Sequence, residues 1–310
     1  GGYGRGELYP YSDVDLLVLL PRAADATLER RLEYLVGVLW DIGLEVGHSV
    51  RTVAECVELS EQDITVQTTL LEARLLAGNR TLHDEFLEQT SRALDPQAFL
   101  EAKQLEQQQR HARHQETNLE PNIKESPGGL RDLQTMLWIS RAAGIGKSWL
   151  DLMRRGLFTA AEAREIQRQE RFLQMLRIRL HYIAARRQDR LLFDHQSALA
   201  AQFGLVDTPH RLASEQLMQR YYRAAKAVSQ LNSMVLQNLT ALIVPQQDRE
   251  YHPINEHFGV RGELLEASTE DLFERHPAAL LEIFTLLQQV HELKGISATT
   301  LRALWRARRL

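Results

Sequence analysis

The first part of the chain alternates between short apolar runs and longer stretches with helical spacing. Residues 13–20 (DVDLLVLL) form an apolar run bounded by prolines, which predicts a buried strand. Apolar residues recur every three or four positions over 27–40, which predicts a helix, and residues 44–50 predict a second, shorter strand. Another helix is predicted over 65–77, ending at Gly78. The order strand, helix, strand, helix is typical of an α/β unit.

Strand patterns nearly vanish beyond residue 84, and helical spacing takes over. Helices are predicted over 95–115, 130–143, 159–187 and 217–242. Apolar stripes of this length favour a helical bundle. Residues 246–262 are polar and predict a loop, and residues 264–310 predict further helix.

We therefore expect an α+β protein in three segments. Residues 1–95 form a mixed-sheet domain, residues 96–245 an all-α helical bundle, and residues 246–310 a helical linker. The length of 310 residues agrees with at least two domains, at roughly 100–200 residues per domain.

Composition narrows the class of protein. Hydrophobic residues make up 44% and charged residues 25%, which excludes a disordered chain and is typical of a globular protein. The net charge of −4 gives no overall attraction to nucleic acid or to anionic membranes. The longest apolar run, 16–20, is far shorter than the ~20 residues of a membrane span. Cys56 is the only cysteine, which excludes an intrachain disulfide and suits a reducing compartment.

The clearest candidate chemistry lies in residues 1–20 (GGYGRGELYPYSDVDLLVLL). Glycines at positions 1, 2, 4 and 6 let the backbone approach a polyphosphate closely and point N–H groups at it. Arg5 lies in this loop and can pair with phosphate oxygens.

Two aspartates follow the glycine loop. Asp13 and Asp15 are two residues apart on the predicted strand, so their carboxylates point to the same face, where they suit Mg²⁺. A glycine loop alone is usually a turn, and a lone Asp-x-Asp pair is often a solvated strand end. Their combination indicates nucleotide chemistry.

This combination resembles the nucleotidyltransferase superfamily of DNA polymerase beta, whose signature is a glycine turn followed by Asp-x-Asp on the next strand. Within that superfamily, GGYGRGELYPYSDVDLL is similar to the PII uridylyltransferase family. The resemblance continues in PNIKESPGGLRDLQTMLWI (121–139), DRLLFDHQSALA (189–200) and MQRYYRAA (218–225). It implies a polymerase beta-like nucleotidyltransferase domain with a mixed sheet and helices, followed by an all-α helical bundle.

The resemblance also implies an activity. Members transfer UMP from UTP to a tyrosine hydroxyl of PII, a bacterial nitrogen-signalling protein, and release pyrophosphate; the reaction depends on Mg²⁺ and takes place in the cytoplasm. The implied nucleotide-binding residues are Gly1, Gly2, Arg5 and Ser12, and the implied metal ligands are Asp13 and Asp15.

A third carboxylate, usually from a neighbouring strand, acts on the nucleophile in this superfamily. Glu45, in the predicted strand 44–50, is the first choice, and Asp63 is the second. An ordinary surface carboxylate is the alternative for both.

Two basic regions stay open to interpretation. The polar loop 118–132 is either a connector or a nucleotide-binding loop in which Lys124 and Arg131 reach across the domain interface. The arginines of 164–190 favour a solvated face paired with Glu162, Glu165 and Glu170. The alternative is a basic flank for an acidic partner or a triphosphate.

Two other functions fit the same residues. One is an adenylyltransferase acting on glutamine synthetase, and the other is a non-catalytic module that only senses nucleotide or binds a protein. The chain begins within the glycine motif, so we expect a piece of a longer protein. The family's HD domain, which removes UMP, and its small-ligand-sensing ACT domains are expected beyond Leu310. Uridylyl removal is therefore not expected here, and glutamine is expected to regulate only the full-length protein.

Overall fold

The structure, a computed structural model, describes residues 1–114, 119–244, 250–290, 292–293 and 295–307. The helices are α1 (Gly2–Arg5), α2 (Ala26–Asp41), α3 (Val53–Gln62), α4 (Ile64–Leu71), α5 (Arg80–Ala93), α6 (Pro96–His114), α7 (Leu130–Ala142), α8 (Trp149–Arg154), α9 (Ala160–Ala184), α10 (Phe193–Gln202), α11 (Ala213–Ile243), α12 (Leu272–Arg275), α13 (Ala279–Gln289) and α14 (Ala298–Ala307). The strands are β1 (Val14–Leu20), β2 (Val46–Thr52), β3 (Tyr251–Pro253), β4 (Phe258–Arg261), β5 (Leu264–Ala267) and β6 (Gly295–Ile296).

The N-terminal part is a parallel strand–helix–strand unit with helices packed on it. β1 pairs with β2 in a register that places Val14 opposite Val46, and α2 makes the crossover between them. The Asp25 carboxylate caps α2 by accepting from the N–H groups of Thr27 and Leu28. The predicted strand–helix–strand order is confirmed, but within β1 only Leu20 is fully buried.

Helix α4 ends at Leu71, so the prediction of helix as far as residue 77 is wrong. The N–H groups of Glu72 and Ala73 bond to carbonyls three residues back, which tightens the last turn before the chain leaves the helix. The Glu72 side chain then enters contacts with distant parts of the chain. The Asn79 side chain caps the next helix, α5.

Helices α6 to α11 form the bundle, and the predicted long helices are confirmed there. Each contributes an apolar stripe to one large core that includes Leu173, Val228 and Met136. The core also takes in Tyr9 from the segment between α1 and β1. Helix α9 begins at a capping box, in which Thr159 and Glu162 satisfy each other's backbone N–H groups.

The C-terminal part departs most from prediction, because the described residues between 251 and 296, expected as loop and helix, contain a small sheet. Residues 246–249 of the expected loop lie outside the described residues. The sheet's strands run in the order β3-β4-β5-β6, and its own core contains Phe258, Leu265 and Phe273. Strands of three or four residues are too short for alternation to be told from helical spacing. A hairpin turn at Gly262, with φ 67°, was the missed local signal.

No described helix has both the length and the apolar composition needed to cross a membrane.

Candidate active site

The glycine-rich start of the chain folds into one helical turn that leads toward β1. Helix α1 ends at Gly6, which adopts a left-handed φ of 76°. Gly4 packs so closely on the segment after α4 that an added Cβ would lie 2.1 Å from the Glu72 carbonyl oxygen. Any side chain at Gly4 would therefore displace this turn, as expected for a backbone selected for close approach.

The paired aspartates lie where the sequence predicts them. Asp13 immediately precedes β1 and Asp15 is its second residue, so both carboxylates share one face. Their side chains are 55% and 51% exposed. The Asp15 carboxylate lies 3.7 Å from the Gly1 nitrogen, and the Asp13 carboxylate lies 3.4 Å from Arg187 Nη1. The aspartates therefore sit between the glycine turn and the end of α9.

Glu45 lies directly before β2, one position ahead of the pair Val14 and Val46 in the register. Its carbonyl accepts from the Val14 N–H at 2.8 Å, so the backbone of Glu45 runs beside Asp13, and its side chain is exposed. Its role as the third carboxylate stays a prediction. Asp63, the second choice, caps α4 by accepting from the Thr65 N–H. This hydrogen bond lowers the pKa of Asp63.

Arg5, expected to face the triphosphate, is held by two carboxylates. Its Nη1 lies 2.6 Å from both carboxylate oxygens of Glu72, and its Nε donates to Glu7 at 3.1 Å. Burial alone would lower the pKa of Arg5, but the Glu72 carboxylate beside it raises that pKa.

The segment between the glycine turn and the aspartates is anchored in the bundle. Tyr9 is 7% exposed, and the Arg177 guanidinium stacks on its ring at 4.1 Å. Burial raises the pKa of Tyr9 to about 12. The next carbonyl, that of Pro10, accepts from His181 Nδ1 at 2.5 Å. Ser12 closes the turn through its N–H to the Tyr9 carbonyl, and Tyr11 adopts a left-handed φ of 57°.

Asp189 organises the bundle side of this anchor. Its carboxylate accepts from Arg177 Nε at 2.6 Å and lies 3.0 Å from His181 Nε2. Burial would raise the pKa of Asp189, but these hydrogen bonds hold it well below its usual range.

The two basic residues of the polar loop come together around one carboxylate. Lys124 Nζ and Arg131 Nη2 each lie 3.3 Å from Glu125 Oε1. Burial, followed by the charge of Arg131, lowers the pKa of Lys124. Backbone pairing between the loop and residues 189–191 places this group next to Asp189. Contact with a nucleotide stays a prediction for both residues.

The rest of this loop is structural. Asp132 is 1% exposed and accepts from Gln107, from Arg110 and from the Gly128 N–H at 2.6–2.8 Å. Gly128 adopts φ 77° against the Ala225 carbonyl, where an added Cβ would lie 2.0 Å away. This close packing explains Gly128 without any ligand.

The arginines of 164–190 divide between several roles. Arg168 pairs with Glu165 as expected, but the Glu165 side chain is only 10% exposed, so this part of the helix is not a fully solvated face. Glu162 instead completes the cap of α9, and Glu170 accepts from the Trp149 indole at 2.9 Å. Arg187 reaches Asp13, so one member of the series lies at the aspartate pair.

A cavity of about 730 Å³ adjoins the glycine turn. Gly1, Asp15, Gly47 and Glu72 line it, and Phe86 lines it as well. Every lining residue comes from the first 86 residues, so this space belongs to the N-terminal part rather than to the interface with the bundle.

The aspartate pair fits a hard divalent cation in its donor chemistry. Magnesium is commonly held by one or two carboxylates, with phosphate oxygens and water completing its shell. Asp13 and Asp15 supply two exposed carboxylates on one face. Among the described residues, no group of three or more His, Cys, Asp or Glu side chains is placed to hold a metal.

Sequence reasoning missed Glu72 and Trp138 as neighbours of the glycine turn. Trp138 Nε1, from α7, donates to the Glu72 carboxylate that binds Arg5. The available signal was a single acid inside an apolar run, TTLLEARLLA.

Comparison with known proteins agrees with this architecture. A nucleotidyltransferase domain model matches residues 1–71, a GlnD PII-uridylyltransferase model matches 98–236, and a model of the uridylyltransferase GlnD third domain matches 258–310. These matches cover most of the chain.

Several relatives are similar to the chain over nearly its whole length. Proteins from Nitrosospira multiformis, Aromatoleum aromaticum and Burkholderia orbicola are 58%, 57% and 54% identical to it over 98–100% of its residues. Each is named bifunctional uridylyltransferase/uridylyl-removing enzyme, and the chain spans 36% of the length of each. The chain therefore belongs to the PII-uridylyltransferase family, and its first segment is a nucleotidyltransferase domain.

Proposed function

We propose that this chain carries the transferase activity of its family and moves UMP from UTP to a tyrosine of PII. The observation that carries the proposal is the pair Asp13 and Asp15 on one face of β1, directly after the glycine turn. Phosphoryl-type transfer asks a protein mainly to position its substrates and to neutralise charge, and this pair suits both tasks.

The reaction balances with the groups at hand. The phenol oxygen of the PII tyrosine attacks the α-phosphorus of UTP, the bond from that phosphorus to the β-bridging oxygen breaks, and pyrophosphate leaves with the electron pair. We propose that Glu45 accepts the phenol proton, since its backbone runs beside Asp13 at the edge of the sheet.

Binding of the triphosphate is divided between backbone and side chains in this proposal. The N–H groups of Gly1 and Gly2 face the phosphates, and the Ser12 hydroxyl adds a hydrogen bond. Asp13 and Asp15 hold Mg²⁺, which neutralises phosphate charge when bound.

The outer contacts come from the basic groups. Arg5 contacts the triphosphate while it stays paired with Glu72 in this proposal, and Lys124 and Arg131 add positive charge from the bundle side. We place the reaction in the cytoplasm, and we assign regulation by glutamine to the full-length protein.

The test is incorporation of label from α-labelled UTP into purified PII with Mg²⁺. Asp13→Asn and Asp15→Asn should each lower the rate by at least a hundredfold while the chain stays folded, because a carboxamide holds a divalent cation far less well. Asp84→Asn is the matched control, since its side chain is 67% exposed on α5 and does not line the cavity beside the glycine turn. It should keep the wild-type rate.

Three results would overturn this proposal. Near-native rates in both aspartate variants would remove the metal assignment. Label transferred from ATP to glutamine synthetase, and not from UTP to PII, would identify an adenylyltransferase. Nucleotide binding without transfer to either protein would identify a sensing module.

A further inference from the structure

Glu72 is a buried carboxylate at the point where the glycine turn meets the bundle. Its side chain is 3% exposed, and its oxygens lie 2.6 Å from Arg5 Nη1 and 3.3 Å from the Gly1 nitrogen. The indole N–H of Trp138 donates to the same carboxylate from α7. A buried carboxylate is stable only when such donors surround it.

The residues around Glu72 also clamp the turn through its backbone. Gly4 lies directly against the Glu72 carbonyl. Two positions further on, Arg74 Nη2 donates to the Tyr3 carbonyl at 2.9 Å, and its guanidinium lies 5.3 Å from the centre of the Tyr3 ring. The segment after α4 therefore fixes three consecutive residues of α1.

Two cationic side chains lie over the Trp138 ring. The Arg131 guanidinium lies 5.1 Å from the indole and Lys103 Nζ lies 5.0 Å from it. The indole is 5% exposed within the bundle core. Its N–H is thus presented to Glu72 by a rigid element rather than by a loop.

We propose that Glu72 is a positioning residue of the transfer reaction and that Trp138 connects it to the bundle. By holding Arg5 and α1, the pair sets where the backbone N–H groups of the turn lie relative to Asp15. This inference rests on the proposed function, because it assumes that the turn binds the triphosphate. Glu72 contacts no reacting atom in it, and the cation is assigned to Asp13 and Asp15.

Trp138→Phe is the decisive variant, because it keeps the ring and removes only the N–H. We expect about tenfold weaker UTP binding and a KM for UTP raised by a similar factor, as for the loss of one hydrogen bond to a charged group. The KM for PII and kcat should stay within about twofold, since the chemistry and the protein substrate are untouched.

Trp149→Phe is the matched control. Trp149 is also buried, and its indole N–H donates to the carboxylate of Glu170 at 2.9 Å within the bundle. It makes the same chemical change and removes no hydrogen bond of the glycine turn. Glu170 acts on Arg5 and Glu7 only through its charge, so UTP binding should stay within about twofold of wild type. Glu72→Gln should weaken UTP binding more than Trp138→Phe, and the double variant should be no worse than Glu72→Gln alone, because both act through one contact.

Failure of this inference is distinct from failure of the proposed function. Equal UTP binding in Trp138→Phe, Trp149→Phe and wild type would overturn the inference even with uridylyl transfer intact. A fall in melting temperature alone, with UTP binding unchanged, would overturn it as well. A wild-type chain that transfers no UMP would instead overturn the proposed function, and direct titration with UTP would still decide the role of Glu72. If Glu72→Gln does not fold, Trp138→Phe alone decides it.

Discussion

The N-terminal part of the chain, with β1, β2 and α1 to α5, and the helical bundle differ most in the size of their hydrophobic cores. The bundle shares one large core drawn from helices α6 to α11, in which residues such as Leu173 and Val228 are fully buried. The N-terminal part has a small cluster of its own, whose buried members are Val53, Cys56, Leu70 and Phe86. Strand β1, which carries the aspartates, is fully buried only at Leu20. Besides its pairing with β2, β1 therefore adds only partly buried side chains, Leu17 and Leu19, to this small cluster.

The bundle makes up for this thin core at the segment that leads into β1. Tyr9 belongs to the bundle core, and the Pro10 carbonyl accepts from His181. Glu72 accepts from Trp138, and Asp13 lies within reach of Arg187. Contacts from the bundle therefore help to position the aspartate pair. Substitutions at these bundle residues should affect transfer even though the residues do not contact nucleotide.

The largest expected effect comes from removing the anchor itself. Tyr9→Ala should lower the free energy of unfolding by about 3–5 kcal/mol, because it empties an aromatic site in the core and loses the stacked Arg177. It should also lower the rate of transfer, since the turn before Asp13 loses its attachment. Urea unfolding followed by tryptophan fluorescence measures the first effect.

Tyr9→Phe is the control for this change. It keeps the ring in the core and loses only the hydroxyl, so its cost should be about 1 kcal/mol. If Tyr9→Ala unfolds at the wild-type urea concentration, the bundle does not anchor the catalytic segment and the comparison fails.

The second-largest effect is expected at Asp189, whose carboxylate binds Arg177 and His181 beneath Tyr9 and Pro10. Asp189→Asn should lower the free energy of unfolding by about 3 kcal/mol, because Arg177 is left buried without a charged partner. The pKa of Asp189 is lowered in the folded state, so its contribution is present above about pH 4 and is lost as the pH falls toward the folded pKa. The difference from wild type should be equal at pH 6 and pH 8 and smaller at pH 3.5.

Glu88→Gln provides the matched control for charge removal. Glu88 pairs with Arg92 on the surface of α5, with both side chains more than half exposed, and such pairs contribute little. A pH-independent difference for Asp189→Asn down to pH 3.5 would contradict the lowered pKa.

Features that depend on residues close together in the sequence were predictable, whereas contacts between residues far apart in the sequence were not. The strand–helix–strand unit and the aspartate pair follow from local alternation and spacing, so both are predictable. Glu72 is separated from Arg5 by 67 positions and from Trp138 by 66, and no local pattern records such a contact. Its neighbours also continue the helical spacing, which hid the end of α4. The small C-terminal sheet was missed because its strands are short.

The smallest expected effect on stability comes from Lys124 in the polar loop. Changing this residue also distinguishes a loop that only connects helices from one that binds nucleotide. Burial lowers the pKa of Lys124, so the folded state disfavours its charge. Wild type should therefore gain stability relative to Lys124→Met as the pH rises toward the usual lysine pKa of about 10.4. Lys124→Met removes the charge at similar length and should raise the free energy of unfolding by up to about 1 kcal/mol. If the loop serves nucleotide binding, the same variant should bind UTP about tenfold more weakly, as for one lost contact to phosphate.

Lys147→Met, at an exposed lysine before α8, should change neither property. A more stable Lys124→Met chain with wild-type UTP affinity would mean that the loop only connects α6 to α7. The opposite result is weaker UTP binding in a Lys124→Met chain that is no less stable. It would mean that the charge of Lys124 does not stabilise the bundle and instead binds the nucleotide of the neighbouring domain. The bundle would then contribute both the anchor of the catalytic strand and part of the nucleotide site.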